Sequence, residues 1–550
     1  MKTPFEIGDE LVDGYANVNP MGATLLGISG HDGEWGDQGL AGYEARRALY
    51  REAAASLSGQ LSHPDRKQRL AARVIDAYVR ERLAEDEAGE HLRDLSHMAS
   101  SFEDFVQVFD LMDKSSLSGW EDIRRRLETI DAAIAGLQER LEEGRSEKST
   151  VATRQVQSVT SQARELAGPA SAFLGLVAEA PEGVREEIGA AVDAAREAAQ
   201  RFAEYLDQTY LPDATNADGV GRERYLSAAE RFLGLSIDPR EVYEWGWEEL
   251  ARLRDEATRV GGEIVAGASI REVADLLETD PERAAPSRSA FLEFVAAIQE
   301  RALSELSGVH FDVPSQIAEV TVKLAPPGGA LGAYYHGPSE DFVRPGGIYY
   351  SIPAEGPVPL YQEVSTAYHE GFPGHHLQVG VALAVGDDLS RAQKTLIWYP
   401  GYGEGWALYA ERLMEELGYF DKPEYVFGML ASHMFRAARV VTDIGVHLGL
   451  RIPDTAPALG GETWDFERAV VFMTEIGLQK RSYATSDVLR YLGWPGQAIS
   501  YKVGEREILA IREEDRRRRG SGFDLKDFHR RVLEGGAIRL DLLREVVLEW

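Results

Sequence analysis

The chain has 550 residues, of which 44% are hydrophobic, and a globular core of that size divides into two or three packed parts. Asp and Glu number 91 against 59 Lys and Arg, a formal net charge of −32, and so acidic a surface repels phosphate backbones and anionic lipid, which argues against nucleic-acid and membrane partners. There is no cysteine, so disulfides are excluded and any metal site must be built from His, Asp or Glu.

The opening residues, Met1 to Pro20, carry one Lys, early acids and no apolar run, which is not a secretory signal. No apolar stretch approaches the ~20 residues that span a bilayer, so a cytoplasmic location is the expectation. The first 320 residues read mostly as helices. Trp120, Ile123, Leu127, Ile130, Ile134, Leu137 and Leu141 recur at spacings of three and four, which predicts a long helix packed against another helix of the same chain. A second helical run covers Val192 to Leu206. Leu211 to Gly221 and Asp280 to Pro286 are loop-like and mark candidate boundaries. The expected division is an N-terminal helical part over 1–220, a connecting helical part over 221–324, and a catalytic part over 325–550. Pro326 to Pro359 is rich in Gly, Pro and Tyr, and Gly347 to Ile352 is its best strand. Helical patterns resume at Leu360. Arg516 to Arg519 follow Glu513, Glu514 and Asp515, so this basic run reads as a solvated helix end.

The chemistry concentrates in Tyr361 to Val385, YQEVSTAYHEGFPGHHLQVGVALAV. In the zincin motif HExxH two His four apart share one helix face and one zinc, and the Glu beside the first serves a water molecule. Here the candidates after His369 are His375 and His376, six and seven residues on. On a regular helix His375 would point about 120° away, and His376 would lie about 10.5 Å along the axis. Neither reaches an ion whose bonds are near 2 Å. Pro373 would clash with the carbonyl of His369, and Gly374 frees the backbone, so a bulge is predicted between Phe372 and Gly374. A two-residue bulge brings His375 into place and a three-residue bulge brings His376. The smaller one leaves fewer backbone groups unmet and favours His375. A third ligand can come from an acid on a following helix, and the candidate is Glu404, seven residues before Glu411 and on the same face.

The strings YHEGFPGHHLQ and GYGEGWALYAERL resemble a large bacterial family known as domain of unknown function 885, itself similar to the gluzincin metallopeptidases of the thimet oligopeptidase, angiotensin-converting enzyme and Taq carboxypeptidase groups. The likeness runs from about Tyr334 to the C-terminus and loosely over the helical half before it. It implies a mainly α, multi-helix, two-lobed architecture with a small antiparallel β-sheet beside an active-site cleft. It implies a zinc-dependent peptidase cleaving short peptides with a metal-activated water, zinc on His369, His375 and Glu404, and Glu370 as general base. In the oligopeptidase group the ligand Glu is also followed by a second Glu seven residues on, as Glu404 is by Glu411. The relatives carry a tyrosine that donates to the developing oxyanion; Tyr491, which follows Arg490, and Tyr501, which precedes Lys-Val-Gly, are the two candidates. Arg439, Asp443 and His447 also match the family and read as a buried polar network under the site.

For the substrate, the Tyr349–Tyr350 strand is expected to bind peptide backbone by β-addition. Arg344 or Arg490 is expected to hold a peptide carboxylate, with a pairing of Arg344 to Glu340 or Asp341 as the competing reading. Two other functions share the residues: a metallohydrolase of a non-peptide amide or ester, and a non-catalytic metal-binding protein.

Overall fold

The structure is a computed structural model, and it describes residues 2–325, 332–339 and 342–549. It is mainly helical, with five short strands among the described residues. No described helix is long and apolar enough to cross a membrane. The chain forms two compact units.

The first unit comprises Met1–Val220, Ser390–Ile397 and Ser486–Trp494. Its axis is the helix Leu117–Ser146, opened by Ser116, whose hydroxyl accepts from the Gly119 N–H. All seven seam residues of this helix, from Trp120 to Leu141, are buried. They share one core with Val192, Ala195, Ala199 and Phe202 of the helix Arg185–Tyr205. The seam is therefore satisfied inside the chain, as its short length predicts.

The second unit comprises Gly221–Leu389, Trp398–Thr485 and Pro495–Trp550. The division expected near residue 324 is absent, because the composition change there marks the start of a sheet and not the end of a core. The helix Arg288–Leu306 supplies Phe291 and Val295 to the same apolar cluster as Ile348 and Tyr350. Phe291 and Tyr350 meet edge to face at 5.0 Å. Asp280 to Pro286 is likewise internal, a single helical turn followed by strand β1 (Ala284–Ala285).

Three strands form the larger sheet: β2 (Thr321–Leu324), β3 (Gly332–His336) and β4 (Gly347–Ser351). The order is β2-β4-β3, with β4 antiparallel to β3 and parallel to β2. A two-residue β5 (Val358–Pro359) pairs with β1. This order overturns β-addition at Tyr349–Tyr350. Tyr349 lies between Lys323 and Tyr334, and Tyr350 between Leu324 and Ala333, so both backbone edges of β4 are already taken. The side chains are committed as well. Tyr350 is 2% exposed in the core, and Tyr349 stacks on Tyr334 at 5.4 Å. The strands at the two edges are β2 and β3.

Candidate metal centre

The helix Glu363–Glu370 carries His369 on its buried side and stops at Gly371. A new helix, His375–Ala384, starts after Gly374. The expected bulge in one continuous helix is thus a full stop and restart, and the reason lies in how the freed backbone groups are met. The Phe372 N–H donates to Gln299 Oε1 at 2.7 Å, and Gln299 Nε2 donates to the Ala367 carbonyl at 2.9 Å. The Trp406 indole donates to the Pro373 carbonyl at 2.9 Å. The Gly374 N–H returns to the Tyr368 carbonyl at 3.0 Å. The Phe372–Pro373 peptide is cis. A Cβ on residue 374 would lie 2.0 Å from the His369 carbonyl oxygen, so only glycine lets the chain fold back over the helix end.

Glu404 comes from the helix Pro400–Glu416. That helix meets the helix Ser500–Arg519 backbone to backbone: a Cβ on Gly405 would sit 2.6 Å from the Gly504 Cα, and one on Gly504 would sit 2.0 Å from the Gly401 carbonyl. The glycines of GYGEG and KVG therefore set the depth at which Glu404 is held.

One ligand atom each from His369, His375 and Glu404 fall within 4.8 Å of one another. Glu404 Oε2 is 3.3 Å from His369 Nε2 and 3.5 Å from His375 Nε2. Tetrahedral zinc with bonds of about 2.0 to 2.1 Å spaces its ligands by roughly 3.3 Å. The far nitrogens are occupied: His369 Nδ1 is 2.8 Å from Glu411 Oε1, and His375 Nδ1 is 3.1 Å from Gln378 Oε1. Each partner oxygen accepts a proton from Nδ1, which leaves the Nε2 lone pairs facing Glu404. Glu404 Oε2 is buried and has no hydrogen-bond partner. Three acceptors thus converge with no donor among them, an arrangement that calls for a cation. Burial opposes charge on His369, but the carboxylates of Glu404 and Glu411 outweigh it and push its pKa up to about 9. Burial would raise the Glu404 carboxyl, yet the two imidazoles hold it well below the usual range. One proton can serve only part of this demand; a dication meets all three groups at once, so the residues fit zinc.

Glu370 is beside His369 but is not one of the three. Burial raises its carboxyl pKa, against the pull of His369 and His375. His376 is turned elsewhere and fully buried, with Nε2 2.9 Å from the Ile317 carbonyl and Nδ1 3.1 Å from the Tyr335 hydroxyl. No acid is among these partners of His376; Glu411 instead holds His369.

The remaining candidates fall in several places. Tyr491 and Arg490 belong to the first unit, and both are turned onto Asp487: Tyr491 donates to its Oδ2, and Arg490 Nη2 lies 2.7 Å from its Oδ1. The guanidinium of Arg490 is thereby committed to a carboxylate of its own chain. Tyr501 lies on the helix against the Glu404 helix, its ring under the guanidinium groups of Arg436 and Arg439 at 5.6 and 5.0 Å. Asp443 accepts from the Tyr225 hydroxyl at 2.7 Å and the Gly496 N–H at 3.1 Å, with His447 Nε2 3.6 Å away. Arg344 is exposed, in a bend whose backbone bonds to Ser339. Glu340 and Asp341 lie outside the described residues. If Arg344 holds a peptide carboxylate, amidating the substrate C-terminus weakens binding by about tenfold, the worth of a charge-assisted bidentate pair at a partly wet site. Equal KM values for acid and amide peptides would remove Arg344 from the site.

A buried run of charges behind His369 has no local sequence signature. Glu411 also accepts from Ser365 and stands 3.4 Å from His433 Nε2. His433 Nδ1 is 3.6 Å from Glu505, which pairs with Lys502, and Lys502 reaches Glu249 at 2.8 Å. Arg436 adds positive charge that acts on both Glu370 and Glu411. These residues come from five helices, and only the fold brings them together.

Comparison with known proteins gives the fold and a family. The chain is similar to the crystal structure of a "putative lipoprotein" from Colwellia psychrerythraea, at 21% identity and a TM-score of 0.84 over 99% of both chains. It is also similar to a "putative lipoprotein of unknown function" from Shewanella oneidensis, at 18% identity and a TM-score of 0.76 over the full length of both chains. None of the curated proteins compared with it matches the chain. The family model for bacterial proteins of unknown function, DUF885, matches residues 20–547, and the chain belongs to that family.

Proposed function

We propose that the chain is a zinc-dependent hydrolase of the gluzincin type that cleaves short peptides. The observation that carries this reading is the convergence of His369 Nε2, His375 Nε2 and a buried, unpartnered Glu404 oxygen, with Glu370 adjoining the first ligand. Zinc bound there would supply a Lewis acid for a carbonyl oxygen and lower the pKa of a water. The protein's own groups do the rest. Glu411 and Gln378 fix the ring orientation of the two imidazoles. The Glu370 carboxylate takes the proton of the attacking water and delivers it to the leaving amine nitrogen, so the C–O bond forms and the C–N bond breaks with protons balanced. Tyr501 is the tyrosine whose helix adjoins that of Glu404, and in this reading its hydroxyl serves the oxyanion.

The test is metal analysis followed by digestion of a peptide library. Protein purified without chelator is expected to hold about one zinc per chain, the number for a mononuclear site. The apo-protein takes up the same amount on titration, and the loaded protein cleaves peptides in the library. No zinc uptake above background sinks the reading. Uptake with cleavage of amide or ester substrates but of no peptide moves it to a non-peptide hydrolase.

A further inference from the structure

An aromatic ring stands beside this site that neither the metal nor the general base requires. Trp398 is 43% exposed. An isolated exposed apolar residue means little. The position of this one is defined by two further contacts. Its ring centroid lies 6.4 Å from that of His375. Its six-membered ring lies against Gly403, where a Cβ would come within 2.3 Å of Trp398 Cζ2. Any side chain at 403 would push the indole away, so the glycine immediately before Glu404 keeps a place for it. The ring thus lies beside the ligand His375 and against Gly403, the residue before Glu404, with much of its surface left to solvent. It contributes little to a core. It offers a flat apolar wall to whatever group enters from solvent beside His375.

We infer that Trp398 is a substrate-specificity residue, and that the substrates are peptides with an aromatic or large aliphatic side chain next to the scissile bond. This rests on the hydrolase reading above. An indole face packs against such a side chain through dispersion and offset or edge-on ring contact. A small or anionic side chain gains little there and leaves the wall wet. The wall therefore selects for apolar groups at that position.

The experiment uses the zinc-loaded full chain and equilibrium binding, so that it is independent of turnover. Phenylalanine hydroxamate and glycine hydroxamate are titrated calorimetrically into the parent, Trp398→Ala, Trp398→Gln and Trp398→Phe, with zinc content recorded for each. The parent is expected to prefer the phenyl compound by at least threefold to tenfold, roughly the worth of one packed aromatic pair. Trp398→Ala and Trp398→Gln lose that preference while keeping their zinc, and Trp398→Phe keeps most of it. A parent without preference, or a preference unchanged in zinc-containing Trp398→Ala and Trp398→Gln, overturns the proposal and leaves the metal site standing. A parent that binds no zinc overturns the hydrolase reading and this inference with it.

Discussion

Glu370→Gln retains its zinc and loses hydrolysis by about 10² to 10⁴, the usual worth of a general base. The two halves of this outcome have separate causes. The metal is kept because the three converging atoms belong to His369, His375 and Glu404, and Glu370 is not among them. The supports of those ligands are also untouched: Glu411 on His369, and Gln378 on His375. Activity is lost because an amide has nearly the shape of the carboxylate but cannot accept a proton. The measurement is zinc content together with kcat/KM on a peptide that the parent cleaves. Since the proton transfer belongs to the transition state, the loss falls on kcat with little change in KM. Full turnover in Glu370→Gln would remove Glu370 from the reaction, and loss of zinc would make it a ligand.

Much of the fold was legible in the sequence where the signal is local and periodic. The Trp120–Leu141 seam specifies a helix and its buried face, and β4 follows from a β-branched and aromatic run between glycines. The break after Glu370 was legible too, since Pro373 has no N–H and cannot continue the helix. Its form was not, because Gln299 and Trp406 replace the lost backbone bonds from 73 and 33 residues away in sequence. Strand order was illegible for the same reason. Nothing in GIYYS says that β2 and β3 would flank it on both sides, and that pairing is what rules out β-addition there. In the string YKVG the tyrosine drew the functional reading, yet Gly504 is the residue whose missing side chain lets the Glu404 helix approach. His433, Glu505 and Lys502 are ordinary helix residues by spacing; their role as buried charges behind Glu411 depends on packing alone.

The two adjacent histidines separate most sharply on zinc. His375→Ala is expected to lower zinc affinity by more than about 100-fold, beyond the roughly 10- to 100-fold typical of changes outside the ligand set. His376→Ala is expected to change it by less than about tenfold. The difference follows from where the restarted helix points each ring. His375 is the first residue of that helix, with Nδ1 held by Gln378 one turn on and Nε2 3.5 Å from Glu404. His376, one position later, is rotated by about 100° around the same axis. Its ring runs under the sheet to the Ile317 carbonyl and the Tyr335 hydroxyl, and burial lowers its pKa, so it is neutral there. Removing it strands the buried Ile317 carbonyl, which costs about 1–3 kcal/mol of stability for an unmet buried polar group. The predicted phenotypes are thus opposite in kind. His375→Ala folds with little change in melting temperature as the apo-protein and fails to hold metal; His376→Ala holds metal and melts several degrees lower. Isothermal titration with zinc and thermal melts of both apo-proteins measure the pair. A His376→Ala protein that loses zinc while His375→Ala keeps it would transfer the ligand to His376 and require the chain between Gly371 and Gly374 to take another path.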